Sequence, residues 1–171
     1  MSAAEPLLRL AVGVVVERRR SRSAWADFIW RPSAVLAGEP DAVPWTLLDA
    51  EADRTTFYAG GAEISLYRSD TALYRDNLAT GEPMLWAVLR PTEGEPPFTV
   101  VAVTADPSEG EAFATIGTDL VEALPMPGPI RDAIEAFVAE HHVENAAFSK
   151  RKRDRADPEV LARRARVKDP S

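Results

Sequence analysis

Leu8, Leu10, Val12, Val14 and Val16 alternate with Arg9, Ala11, Gly13, Val15 and Glu17. A period of two is the signature of a strand with one buried face, so the spacing predicts an opening strand with those five apolar residues inward. A charged turn, Arg18 to Ser23, leads into Trp25 to Leu36, which carries Trp25, Phe28, Ile29, Trp30, Val35 and Leu36 around Pro32. Proline has no N–H to give to a ladder, so this strand is expected at a sheet edge, or bent at Pro32.

Residues 38–44 read as a loop and Trp45 to Asp49 as a short strand. Thr55 to Ala59 and Ala62 to Arg68 flank Gly60-Gly61, a pair whose permissive backbone suits a tight hairpin turn. Tyr74 to Leu78 reads as a helical turn. Met84 to Leu89 is apolar on both faces and predicts a central strand, with Phe98 to Thr104 as its hairpin partner across a Pro- and Glu-rich loop. Asp106-Pro107-Ser108-Glu109 is a helix start: the aspartate can cap, proline suits the first helical position, and Glu109 meets the positive end of the dipole. That helix is expected to end near Thr115 to Gly117, followed by a last strand, Leu120 to Leu124. Ile130, Ile134, Phe137, Val138 and His141 then recur at helical spacing over 129–142 and mark one buried stripe.

The fold expected is therefore α+β but mainly β: an antiparallel sheet or partly closed barrel, pleckstrin-homology-like in one concrete form, capped by a C-terminal amphipathic helix. At 171 residues the chain suits one core, placed in residues 1–148. Residues 149–171 are poor in large apolar side chains and read as a flexible basic tail. Strand order, closure and oligomeric state are not legible at this level.

Charge sharpens this division. The net charge of −7 splits into −12 over residues 1–148 and +5 over residues 149–171. An acidic body repels nucleic acid and anionic membrane, so affinity for phosphate has to come from the tail; the tail lacks interleaved aromatics after Phe148, which makes nucleic acid an unfavoured partner. The chain has no cysteine, so disulfides, thiolate metal sites and cysteine nucleophiles are excluded within it. The apolar run Leu7 to Val16 is interrupted by Arg9, is followed rather than preceded by positive charge, and is far shorter than a bilayer span. A cytoplasmic location without a membrane span is expected.

Candidate chemistry is sparse. No glycine-rich dinucleotide loop and no P-loop occurs. His141 and His142 are adjacent, and neighbours on a helix point about 100° apart, so capping and packing near the helix end explain them better than a metal does. No catalytic, metal or cofactor residue is assigned and no cofactor is expected. Two binding readings stay open. Phe148 followed by Lys150, Arg151, Lys152, Arg153 and Arg155 is a candidate protein contact, an aromatic anchor with steering cations. Alternatively, Trp25, Trp30, Arg31, Tyr74, Asn77 and Trp86 line a small-molecule pocket.

Several runs together resemble one bacterial family: the opening strand with Val16-Glu17-Arg18-Arg19, Trp30-Arg31-Pro32-Ser33-Ala34-Val35-Leu36, Tyr74 with Asn77-Leu78, Val103-Thr104-Ala105, Leu124-Pro125-Met126-Pro127, Glu140-His141-His142-Val143, and Phe148 with Lys150-Arg151-Lys152-Arg153-Asp154. The set is similar to the domain of unknown function 3305, over nearly the whole chain. Members of that family are typically encoded beside molybdenum-dependent formate dehydrogenase genes, and some are labelled molybdenum-cofactor nucleotidyltransferases. The glycine-rich loop and alternating strand–helix order of such an enzyme are absent here. The resemblance thus implies a pathway rather than an activity: a non-catalytic accessory protein for formate dehydrogenase assembly, maturation or stabilisation, whose partner is a dehydrogenase subunit or maturation factor. The alternative is a pterin- or nucleotide-binding protein or enzyme of molybdenum cofactor metabolism.

Overall fold

A computed structural model describes residues 5–22 and 27–155, and for residues 143–155 the helical backbone alone. Seven strands and three α-helices follow in the order β1 (Leu8–Arg20), β2 (Phe28–Ala37), β3 (Thr46–Ala50), β4 (Arg54–Leu66), α1 (Thr71–Ala79), β5 (Met84–Pro91), β6 (Phe98–Thr104), α2 (Pro107–Ile116), β7 (Leu120–Pro125) and α3 (Gly128–Arg155), with a 3-10 turn at Arg68–Asp70 before α1. The strands form two antiparallel sheets, ordered β2-β1-β4-β3 and β6-β5-β7. β4 lies against β6 and β2 against β7, but the two sheets share no ladder among the described residues. The chain therefore builds two packed sheets and not a closed barrel.

β1 is an inner strand of the larger sheet, paired on both edges, and this changes the burial expected for it. Val12, Val14 and Val16 are fully buried in the core, as the alternation predicts, whereas Leu10 is half-buried and Leu8 exposed; Val15 and Glu17 on the opposite face are buried as well. That face is covered at Gly13, where an added Cβ would meet Pro40 and the Tyr58 ring at 2.9 Å. Each fully buried valine contributes on the order of 1.5–3 kcal/mol by leaving water. β2 is an edge strand and also bends: its register against β1 shifts between Val15 and Val16, opposite Pro32 to Ala34.

The hairpin expected at Gly60-Gly61 does not form. β4 runs straight through both glycines, and the real turn lies at residues 51–53, between β3 and β4. The glycines serve a bulge and a close approach instead: Gly60 takes φ 140°, the register against β1 slips where Ala59 is extra, and a Cβ on Gly61 would meet the Glu39 side chain at 2.4 Å.

The other elements sit where the pattern puts them. β5 is central in its sheet, with Leu85, Ala87, Val88 and Leu89 fully buried. Asp106 caps α2 by accepting from the Ser108 N–H at 2.9 Å, and Gly117 ends that helix in the left-handed conformation. In α3, Ile130, Ile134, Phe137 and Val138 enter the core and the helix packs against α1. α3 continues past His142 to Arg155, because residues 143–155 contain neither glycine nor proline to stop it. His141 and His142 therefore lie within the helix and do not cap its C-terminus: His141 packs at a tilt against the Phe137 ring, 4.5 Å between centroids, and His142 contacts Thr71 and Arg75 of α1. Among the described residues, no helix is long and apolar enough to cross a membrane.

Candidate functional site

Cross-strand register gathers aromatic rings at one end of the larger sheet. Trp30 on β2 pairs with Arg18 on β1, and Phe57 on β4 pairs with Val16, so these side chains share a face. Trp30 stacks on Phe57 (6.0 Å, 25°) and also touches Phe28, Trp45 and, from the second sheet, Phe98 at 5.9 Å. Trp45 contacts Phe57 as well. Trp30, Trp45 and Phe98 pack against the core, to which Tyr74 of α1 and Phe137 of α3 also belong.

Arg18 lies over this cluster. Its guanidinium carbon is 4.3 Å from the Phe28 centroid, 5.3 Å from Phe57 and 5.5 Å from Trp30. Among the described residues its Nε is buried without a hydrogen-bond partner, so ring faces, in place of a carboxylate, hold the charge. Trp45 contributes its ring from a strained backbone: φ is 73°, a left-handed conformation costing a bulky residue roughly 1–2 kcal/mol.

The same end carries exposed apolar surface. Leu47 pairs with Phe57 across the ladder and is 56% exposed; Leu48, 51% exposed, is the extra residue at a bulge. Both lie on β3, every residue of which is exposed and whose outer edge meets no other strand among the described residues. Phe28 is also exposed. An apolar edge strand beside aromatic rings and arginine is a surface suited to a partner, because unpaired backbone groups, apolar side chains and a cation are offered together.

On the opposite face, Glu17 is only 5% exposed and binds three cations: it accepts from Arg19 Nε, with Arg31 Nε at 3.7 Å and Arg54 Nη1 at 3.9 Å. The hydrogen bond and charge of Glu17 push the Arg19 guanidinium above its ordinary range. Arg31 also reaches Glu122 of β7 at 3.8 Å, and so links the two sheets.

The structure does not bring the six pocket candidates together. Trp30 is in the aromatic cluster and Arg31 is in the ion network on the other face. Tyr74 is buried against Phe137, its hydroxyl accepts from the Tyr67 N–H at 3.0 Å, and burial pushes its phenol well above the ordinary tyrosine range. Asn77 is buried and serves backbone: it donates to Met84 O at 2.8 Å and Ala105 O at 3.1 Å, and accepts from Met84 N at 3.0 Å. Trp86 packs beneath Gly110 of α2, where a Cβ would fall 2.4 Å from the indole. Trp25 lies outside the described residues. Phe148, Lys150, Arg151, Lys152, Arg153 and Arg155 fall in the part of α3 where the backbone alone is described.

Two hollows follow the seam between β4 and β6. One, about 290 Å³, is lined by Gly61 to Glu63, Ser65, Tyr67 and Val100 to Thr104, and also by Asp70, Asp106 and Glu109. The other, broader and shallower at about 770 Å³, shares Gly61 and Val100 with it and ends at Trp45 and Phe98. Neither is lined by a lysine or arginine. Among the described residues, no group of three or more His, Asp or Glu is placed to hold a metal ion.

The family model described as protein of unknown function (DUF3305) matches residues 11–153. The chain belongs to this family. No curated protein and no solved structure matches it. The DUF3305 match takes in β2 to β7, α1 and α2 whole and most of β1 and α3, and with them both the aromatic end and the acidic seam.

Arg18, Phe57, Leu47 and Leu48 were not identifiable as site residues in the sequence. Arg18 reads as part of a charged turn, and its role depends on β1 extending to Arg20. Phe57 reads as one half of a hairpin that does not form.

Proposed function

We propose that this DUF3305 chain is a non-catalytic protein-binding module, and that its partner is a subunit or maturation factor of a molybdenum-dependent formate dehydrogenase. The observation that supports a docking role is the β3 edge: Leu47 and Leu48, exposed on a strand without an outer neighbour, beside an aromatic cluster lidded by Arg18. An apolar edge of this kind is an aggregation hazard in a protein that keeps it bare, and aromatic and arginine side chains dominate binding energy where they are covered. The partner's identity rests on the resemblance to a family encoded beside formate dehydrogenase genes. Phe148 and the cations Lys150 to Arg155 supply a second contact, and the role belongs to the cytoplasm. A phosphate-bearing ligand such as a nucleotide is disfavoured in the seam between β4 and β6, whose charged lining residues are all acidic.

The test is affinity purification of the tagged full chain from its native cell, beside the double variant Leu47→Asp, Leu48→Asp. Both leucines are exposed, so folding is expected to survive, which circular dichroism checks. Recovery of formate dehydrogenase subunits with the wild type and a loss of about tenfold or more with the variant, the scale of a core interface contact, supports the reading. Equal recovery with both proteins refutes the β3 surface, and recovery of no dehydrogenase component refutes the partner.

A further inference from the structure

The larger sheet sorts its arginines by face. Side chains directly opposed across a ladder lie on the same side, and successive residues alternate. The register therefore puts Arg18, Arg20, Phe28, Trp30 and Phe57 on one side, and Glu17, Arg19, Arg31 and Arg54 on the other. Leu47, opposite Phe57, joins the first side, and Asp49, opposite Thr56, the second. On the second side the cations are neutralised: Glu17 serves Arg19, Arg31 and Arg54, while Glu51 also meets Arg54 and Glu122 also meets Arg31. On the first side Arg18 and Arg20 make no ion pair among the described residues. The turn that follows them holds no acidic residue before Asp27. Two arginines without a counter-charge thus share a face with Phe28, a ring left 38% exposed.

We propose that Arg18 and Arg20 form a carboxylate-binding subsite, and that the protein segment docking here carries an acidic side chain beside an apolar one, the carboxylate on the guanidiniums and the apolar group on Phe28. This rests on the reading of the β3 end as a docking surface and names the chemistry that surface selects. The first argument is unmet bonding. A guanidinium has about five N–H donors; the rings around Arg18 attract its charge but accept hydrogen bonds only weakly, and its Nε is buried without a partner among the described residues. A carboxylate takes two such donors at once. The second is preorganisation: Phe28, Phe57 and Trp30 already hold Arg18 in place, so little of its freedom remains to be lost on binding. The third concerns the size of the anion. Residues 1–148 carry −12 in sum, which repels a nucleic acid or an anionic membrane at long range, whereas a short acidic segment meets chiefly the local cations. Trp30 and Phe57 are stacked on each other, and Arg18 lies over Phe28, so the rings are poorly placed to stack on bases.

NMR of the arginine Nε–H groups tests this on the full chain, with no dehydrogenase present. The probe is the peptide acetyl-Leu-Glu-Phe-Glu-Leu-amide; its controls are the same peptide with glutamine in place of both glutamates, and an oligothymidylate. The acidic peptide is expected to shift Arg18, Arg20 and Phe28 in a saturable way, with an affinity several-fold weaker at high salt and in the variant Arg20→Gln, whose side chain is exposed and whose fold circular dichroism checks. Shifts centred on Arg19, Arg31 and Arg54, an equal response to the glutamine peptide, a tighter response to the oligothymidylate, or no response at concentrations on the order of millimolar overturns the proposal. Titration of purified formate dehydrogenase with the wild type and with Leu47→Asp, Leu48→Asp runs beside it. Dehydrogenase binding that depends on the leucines, without a response to the acidic peptide, overturns the subsite and leaves the β3 surface standing. A response to the peptide without dehydrogenase binding supports the subsite and removes that partner.

Discussion

The Arg18 guanidinium lies 4.3 Å from the centre of the Phe28 ring, with Phe57 and Trp30 also in reach. One cation therefore ties β1 to both neighbouring strands at the end of the sheet where apolar side chains are exposed. Arg18→Ala removes the cation–ring contacts and the packing of the alkyl stem, and is expected to lower stability by about 1–2 kcal/mol. Arg18→Lys keeps the charge but loses the flat guanidinium, and should fall between. Urea unfolding of the three proteins provides the check, and an undiminished midpoint for Arg18→Ala would remove Arg18 from the cluster's energetics.

Asn77 joins α1 to the start of β5 and the end of β6 through three hydrogen bonds to backbone. Asn77→Ala leaves buried N–H and C=O groups without partners and is expected to destabilise by roughly 2–4 kcal/mol. Asn77→Asp should be no milder, since a carboxylate cannot donate to Met84 O and Ala105 O. Chemical denaturation measures both.

Gly110 is the contact point of α2 with β5. A methyl group there would lie 2.4 Å from the Trp86 ring, so Gly110→Ala is expected to cost about 1–3 kcal/mol despite alanine's higher helix propensity. A shift in tryptophan emission should accompany the loss. Stabilisation on substitution would show that the helix moves freely over the indole.

His142 predicts a pH dependence. Arginine only donates, so Arg75 Nη1 gives its hydrogen to His142 Nε2 at 3.0 Å, and Nδ1–H donates to Thr71 Oγ1. Burial first, and the Arg75 charge second, hold the imidazole's pKa below its ordinary value. The unfolded chain therefore takes up a proton near pH 6.5 while the folded chain does not. This contribution to stability is whole above that pH, and declines as pH falls toward the lower folded pKa. Urea midpoints between about pH 7.5 and about pH 5.5 should drop more for the wild type than for His142→Gln.

How much of this was legible in the sequence depended on whether the signal was local. The cap Asp106, the buried stripe from Ile130 to Val138 and the central strand at Met84 to Leu89 each follow from short-range patterns, and each stands where expected. Gly60-Gly61 is ambiguous in the sequence, because a glycine pair supports a turn and a bulge equally; only the pairing of β4 with β1 along its whole length decides between them. The double burial of β1 is illegible for the same reason, since Gly13 is covered by Pro40 and Tyr58, distant in sequence. Residue type alone does not bring pocket candidates together, and the fold sends Trp30, Arg31 and Trp86 to three different surroundings. The exposed leucines of β3 carry no local mark that separates them from core.

Hydrogen–deuterium exchange on the full chain, free and mixed with purified formate dehydrogenase, tests the central claim most directly. The amides of β3, at an exposed edge, should exchange rapidly in the free chain and become protected in the complex at residues 46–50, together with the neighbourhood of Phe28. Unchanged exchange across β3 in the presence of the dehydrogenase would contradict the docking surface proposed here.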